Sequence, residues 1–338
     1  MQLLNRAVVT EYLNMSAAID AIEELLHRQA EHPNWVKSPE RLVIETFSED
    51  KRSSGSHLSM PAVIYDGSEE YATVKLVTIC PDNPSRNMPT TTAIITVSNN
   101  ETGKILAVMD GIYITQVRTA ALSGIATKYM AKDNCQSVVV VGCGGMAYEQ
   151  LNAVLTVRPE IKTVYLWNRS LNGAEQFKEN FARDYAQWDV ELIVCEQIED
   201  ALKEADIINV ATRATEGLFS LEQIKADAHI NAVGAYQASM KEIGNEVIEK
   251  SSLIVVDDMA GSRHEAGDLI QAHDSSESSW TWDKVSGDLQ GLVTGKVTRS
   301  EQGITLFKSV GAASFDAAVA LHVAKLADQD NLGESVSW

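Results

Sequence analysis

Four consecutive valines, Val138-Val139-Val140-Val141, run directly into Gly142-Cys143-Gly144-Gly145-Met146-Ala147 and then into a helical pattern. An uninterrupted β-branched run suits a strand buried on both faces, which occurs in parallel sheets covered by helices. The small residues behind it each have a physical reason. Gly142 permits a tight turn, Gly144 lets the backbone approach a pyrophosphate, and Ala147 allows close packing of helix on strand. The N–H groups at the helix start, through Gly145 and Met146, are placed to hold phosphates. A glycine-rich turn of this kind also occurs in α/β proteins that bind nothing, so the surroundings decide. Five more strand-like runs follow, at 163–168, 190–195, 206–211, 229–234 and 253–258, with helical patterns at 145–157, 171–186, 197–204 and 220–226 between them. This alternation predicts an α/β fold: a Rossmann-type doubly wound parallel sheet that binds a dinucleotide.

The segment ahead of it reads differently. Residues 16–31 have apolar positions at helical spacing, with Ser16 as the expected N-cap. Residues 41–98 are β-rich runs separated by turn signals, and 114–131 form a long helix of small residues. The last segment, 306–328, again has helical spacing throughout. A chain of 338 residues is long enough for about two domains of roughly 150 residues, so an N-terminal α/β domain beside the Rossmann domain is expected.

Charge excludes some functions. There are 28 Lys and Arg against 47 Asp and Glu, a formal net charge of −19. Without basic stripes, neither nucleic acid nor an anionic membrane surface is an expected partner. No apolar run has transmembrane length, and the first residues show no secretory signal, so a cytoplasmic location is expected. The four cysteines form no CxxC pair, the seven histidines show no ligand spacing, and no metal site is expected. There is no G-x-S-x-G elbow. Residues 273–282 read as an exposed loop, with Trp280 and Trp282 on the surface or against a neighbouring subunit, and Asp257-Asp258 as a cap for the next turn.

The dinucleotide type is addressed after the second strand of the Rossmann pattern. A site for a free ribose 2′-OH usually has a carboxylate there. This chain has Asn168-Arg169-Ser170 instead, which suits a 2′-phosphate. NADP(H) is therefore favoured, with NAD(H) possible. Thr212 after the fourth strand, and Val233 and Gly234 at the end of the fifth, lie where such a fold meets its cofactor. Lys75 stands inside an apolar strand pattern, Val74-Lys75-Leu76-Val77. It either points outward on an alternating strand or is buried for a reason, since burying an unpartnered lysine is costly.

Several stretches together carry a family resemblance: 74–84, 105–131, 138–151, 164–170, 229–235 and 304–311, with Asp110-Gly111 and Arg118-Thr119-Ala120 the most specific beside the glycine motif. In these the chain resembles the ornithine cyclodeaminase/μ-crystallin family over nearly its whole length. The resemblance implies a substrate-binding and dimerisation domain over residues 1–116, completed by a C-terminal helix in 305–338, and a Rossmann domain over 117–304. It implies a homodimer and a small amino-acid or imino-acid substrate. The implied chemistry is hydride transfer between a nicotinamide and the α-carbon of an amino acid or its imine. Arg41, Lys75 and Arg118 match family positions that contact substrate or cofactor, and arginine suits an α-carboxylate. Lys75 is the candidate acid/base, its ammonium lowered toward neutrality by burial and nearby arginines. Lys308 and Ser309 match the family's returning segment, and Ser309 is a cofactor candidate.

One departure bears on the reaction. The cyclodeaminase members carry an aspartate shortly after the N-A-V-G run, and here that position is Tyr236. A tyrosine there touches substrate without charge. This favours an imine reductase or amino-acid dehydrogenase. An ammonia-releasing ornithine cyclodeaminase with bound NAD, and a dinucleotide-binding protein without turnover, remain the alternatives.

Overall fold

The computed structural model describes residues 1–45, 55–299 and 302–337. The chain divides into two compact units, Met1–Arg118 with Ala312–Trp338, and Thr119–Gly311.

Unit 1 is built on an antiparallel meander. Its first seven strands are β1 (Gln2–Leu4), β2 (Val36–Lys37), β3 (Leu42–Glu45), β4 (Ser56–Tyr65), β5 (Glu70–Ile79), β6 (Thr91–Asn99) and β7 (Ile105–Asp110), and the two-residue strand Glu334–Ser335 adds to β1. β4 to β7 pair in sequence, β1 joins β7 in parallel, and β2 and β3 both pair with β4. Alternate residues of β4 and β5 are buried, as a sheet with one covered face requires. Two helices follow β1, the short α1 (Arg6–Tyr12) and the longer α2 (Met15–Glu31). α2 buries Ile19, Ile22, Leu25 and Leu26, and the helix Ala313–Gln329 packs on β4, β5 and α2. The cap of α2 is not Ser16 but Asn14, whose side chain accepts from the Ala17 N–H. The long helix α3 (Gly111–Met130) contains the boundary between the units.

Unit 2 holds an eight-stranded sheet, parallel throughout. Its strands are β8 (Ser137–Val141), β9 (Thr163–Trp167), β10 (Glu191–Val194), β11 (Ile207–Val210), β12 (His229–Ala232), β13 (Leu253–Val256), β14 (Gly287–Asp288) and β15 (Thr305–Lys308). Their order is β10-β9-β8-β11-β12-β15-β13-β14. From β8 the chain winds first toward β10 and then back through β11, so the order reverses between β8 and β11. In doubly wound sheets ligands bind outside the carboxyl ends of the strands at that reversal. The helices α4 (Ala147–Val157) and α5 (Leu171–Asp184) follow β8 and β9.

Three further sequence expectations are corrected. The helical reading of 306–328 fails at its start: Thr305–Lys308 is a fully buried strand inserted between β12 and β13, and the helix begins at Ala313. A four-residue buried strand carries no periodicity to separate it from a buried helix. Residues 220–226 form only the single 3-10 turn Leu221–Gln223. Trp280 is not on the surface; it is buried in the core of unit 2 and meets Trp282 edge-on at 5.4 Å between ring centroids.

Candidate active site

The turn after β8 has the shape that the sequence pattern requires. Gly142 has φ +95°, and a Cβ there would sit 2.7 Å from Thr212 Cγ2 and 2.8 Å from the Ala211 carbonyl oxygen. The protein itself therefore demands glycine at this position. Gly144 is different. It lies outside the left-handed region, and a Cβ on it would meet nothing within 4 Å. Nothing among the described residues fills that space. α4 also starts without a side-chain cap, at Met146, while Gly145 is exposed and Ala147 is packed into the sheet. An open backbone face before an uncapped helix N-terminus fits an anionic pyrophosphate.

The two glycines should separate on substitution. Gly142→Ala is expected to cost about 1–3 kcal/mol of stability through its backbone and the clash. Gly144→Ala should leave stability within about 1 kcal/mol of the parent but weaken dinucleotide binding by at least about tenfold. Denaturant titration and binding titration of both variants check this.

At the end of β9, Asn168 accepts the Cys143 N–H at 3.3 Å and donates to the Ser170 carbonyl at 3.1 Å, tying the two turns together. Ser170 caps α5, accepting from Gly173. Arg169 is exposed between them. Beyond β11 and β12, Thr212, Val233 and Gly234 lie at the carboxyl ends of the sheet. The Ser309 hydroxyl is directed at Asp257, donating at 2.6 Å. Asp258, as expected, caps the helix that follows it. Tyr236 is half-buried and packs against the core of unit 2.

Unit 1 carries the charged cluster. Lys75 is on the buried face of β5, between Met60 of β4 and Ile95 of β6. Its exposure is 2%, and that of Arg118 on α3 is 4%. Sequence analysis missed the group that makes this possible. Asp316, on the C-terminal helix and itself 2% exposed, accepts from Lys75 Nζ at 2.9 and 2.8 Å and from Arg118 Nε at 2.9 Å. Two cations thus share one carboxylate, leaving an excess positive charge in a buried place. Burial, then the Arg118 charge, lowers the Lys75 ammonium to about 7; Asp316 opposes them and Arg41 adds to them. Asp316 is held below the usual carboxylate range because Arg118 and Lys75 outweigh its burial. Arg118 Nη1 is buried and has no hydrogen-bond partner among the described residues. A guanidinium donor left in that state suits an anionic oxygen. Lys75 and Arg118 are therefore brought together, and Arg41, just before β3, acts on the same ammonium.

The comparisons with known proteins agree with one another. The family model described as "Ornithine cyclodeaminase/mu-crystallin family" matches residues 1–331. The chain belongs to the ornithine cyclodeaminase/mu-crystallin family. A Delta(1)-pyrroline-2-carboxylate reductase of Bacillus cereus is 32% identical over 283 residues, 83% of this chain and 84% of that protein. The structure of Thermococcus litoralis Delta(1)-pyrroline-2-carboxylate reductase, in complex with NADH and L-proline, superposes with a TM-score of 0.90 at 30% identity, covering 99% of this chain and 100% of that one. An archaeal alanine dehydrogenase dimer with bound NAD gives 0.87 at 29% identity, covering 100% and 99%. These solved relatives in the ornithine cyclodeaminase/mu-crystallin family thus carry NADH or NAD. No helix among the described residues is long and apolar enough to cross a membrane.

Proposed function

We propose that this chain is an NAD(P)H-dependent reductase of α-imino acids, with a cyclic imino acid of the pyrroline-2-carboxylate kind as the substrate class. The observation that carries the proposal is the buried Lys75–Asp316–Arg118 cluster with its unpartnered Arg118 Nη1. A substrate whose carboxylate meets Arg118 presents its imine nitrogen to a group that must deliver a proton. Lys75, with its ammonium lowered to about 7, exchanges protons readily near neutrality. Asp316 fixes both cations in place. The cradle after β8 would hold the dinucleotide, with Gly144, Gly145, Met146 and the start of α4 at the pyrophosphate. When bound, the nicotinamide supplies a hydride to the α-carbon or takes it back.

The relatives support this class, and Tyr236 supports it over cyclodeamination, because it offers no carboxylate to a second substrate ammonium. NADP(H) is the proposed preference. No carboxylate stands at the end of β9, and Arg169 is exposed there beside Ser170. A homodimer is the proposed assembly, supported by the exposed apolar residues Leu42, Val43 and Ile44 on β3 and by the dimeric archaeal relative.

One assay panel tests the reading. Cyclic imino acids are offered with NADPH or NADH, and L-ornithine with catalytic NAD, while cofactor absorbance and ammonia are followed. NADPH loss with the imines and no ammonia from ornithine is the expected result. Ammonia release without net cofactor change would replace it with the cyclodeaminase reading. Arg169→Ala should raise the KM for NADPH by about tenfold or more, the cost of a lost charge-assisted contact, and leave the KM for NADH nearly unchanged.

A further inference from the structure

Among the described residues of unit 2, Glu242 is a fully buried carboxylate that the reading above does not use. It lies in the loop that leaves β12. Its two oxygens are divided between two turns. Oε1 accepts the Thr212 N–H and, at 2.8 Å, the Thr212 hydroxyl. Oε2 accepts the N–H groups of Gly234 at 2.7 Å and Ala235 at 3.0 Å. Thr212 follows β11 and Gly234 follows β12, so one side chain ties together two adjacent turns at the carboxyl ends of the sheet. Gly234 has no room for a larger residue: a Cβ would strike Glu242 Oε1 and the Thr212 backbone. The fit between the two turns is therefore close as well as hydrogen-bonded.

A second layer holds the backbone that carries Glu242. Asp268 Oδ1 accepts the backbone N–H groups of Glu242 and Ile243 at 2.6 and 2.9 Å. Asp268 Oδ2 lies 2.7 Å from Lys308 Nζ, and both side chains are completely buried. Lys308 comes from β15, the strand next to β12. This arrangement is expensive. Burial pushes the Glu242 carboxyl up to about 7, with Asp268 adding to the effect and Lys308 opposing it. Loops of this kind are commonly closed by backbone and hydroxyl hydrogen bonds alone. A buried carboxyl group that accepts from four donors ties the turns through more contacts than those would.

We infer that Glu242 is a positioning residue for the nicotinamide end of the bound dinucleotide, acting through the turns at Thr212 and Gly234 and touching neither cofactor nor substrate. The inference rests on the dinucleotide reading above. At the strand-order reversal the pyrophosphate belongs to the turn after β8, and the turns after β11 and β12 are left for the other end of the molecule. Fixing those two turns relative to each other fixes the surface on which a ring can lie.

The test compares full cofactors with counterparts that lack nicotinamide. Binding of NADPH and 2′-phospho-ADP-ribose, and of NADH and ADP-ribose, is measured by calorimetry for the parent, Glu242→Gln and Thr212→Val. Glu242→Gln turns an NH2 toward backbone donors, and Thr212→Val removes one donor to Glu242 together with the hydroxyl oxygen that accepts the Ala214 N–H. Both should weaken NADPH by about tenfold, the effect of one unsatisfied buried polar group, and leave 2′-phospho-ADP-ribose within about twofold. A general loss of structure would weaken both ligands alike. Equal losses for the two ligands, or no loss for either, overturn the assignment. Thr212→Val decides the matter alone if Glu242→Gln does not fold. If the parent binds none of the four ligands, the dinucleotide reading fails, and the role of Glu242 falls with it.

Discussion

Lys75→Met is expected to lower turnover with the cyclic imine by about a thousandfold, the usual effect of removing a positioned proton donor. Methionine keeps the length of the side chain and its packing between Met60 and Ile95, and Asp316 keeps Arg118 as a partner. Folding should survive and substrate binding should fall much less than turnover. The pH dependence gives the sharper signature. Reduction needs the ammonium form, so with Lys75 near 7 the rate falls as pH rises through about 7. The reverse reaction needs the free amine and falls as pH drops through the same value. Both limbs disappear in Lys75→Met. Stability carries a matching sign. The folded state holds its Lys75 proton less tightly than the unfolded chain, whose ordinary value is 10.5. Between about 7 and 10.5 the unfolded state therefore binds more protons, and stability gains from this residue as pH rises through that window. Steady-state rates across pH, with denaturant titrations at the same pH values, check both signs.

Asp316→Ala is the substitution with the largest expected effect on the fold. It leaves Lys75 and Arg118 buried beside each other with no counter-charge, and breaking a buried pair from one side costs about 3–5 kcal/mol. The Lys75 ammonium should then be lowered further, since the group that opposed its burial is gone. Asp316→Asn keeps the shape and the acceptor oxygen and should cost less than alanine. Chemical denaturation at neutral pH ranks the two. Equal stability in parent and alanine variant would mean that water or a rearranged side chain already shields the cations.

How much of this could be read from the chain depended on how local each signal was. The dinucleotide turn is contained in ten consecutive residues, and its reasons are steric, so Gly142 and Ala147 carry in the structure the constraints their positions imply. Lys75 stood out as a charge in an apolar strand, but its two readings, inward or outward, differ only in which face of β5 is covered. That depends on helices far away in sequence. Asp316 obeys the same rule as Lys75, a lone charge in Ala-Ala-Ser-Phe-Asp-Ala-Ala-Val-Ala, and was passed over because the helix was read for its spacing alone. Its partner is 241 positions away, a distance no periodicity reports. Glu242 and Asp268 lie in polar surroundings where carboxylates are ordinary, and only the folded chain shows that their side chains turn inward. Lys308 reads as helical in the sequence, because a buried strand of four residues has no turn of its own to announce it.

The late position of Thr305–Lys308 in the chain has a consequence for synthesis on the ribosome. β12 and β13 are made more than forty residues before the strand that separates them, and they have no direct pairing with each other. Until that strand emerges, the nascent sheet presents an unpaired strand edge at His229–Ala232. The helix that supplies Asp316 comes later still, so the cations of unit 1 also wait until Ala313–Gln329 has been made. Both units are thus completed only once residues from 305 onward have been made. A stalled or prematurely terminated chain would hold most of the sequence and neither finished core, which makes it a natural target for chaperones and proteases.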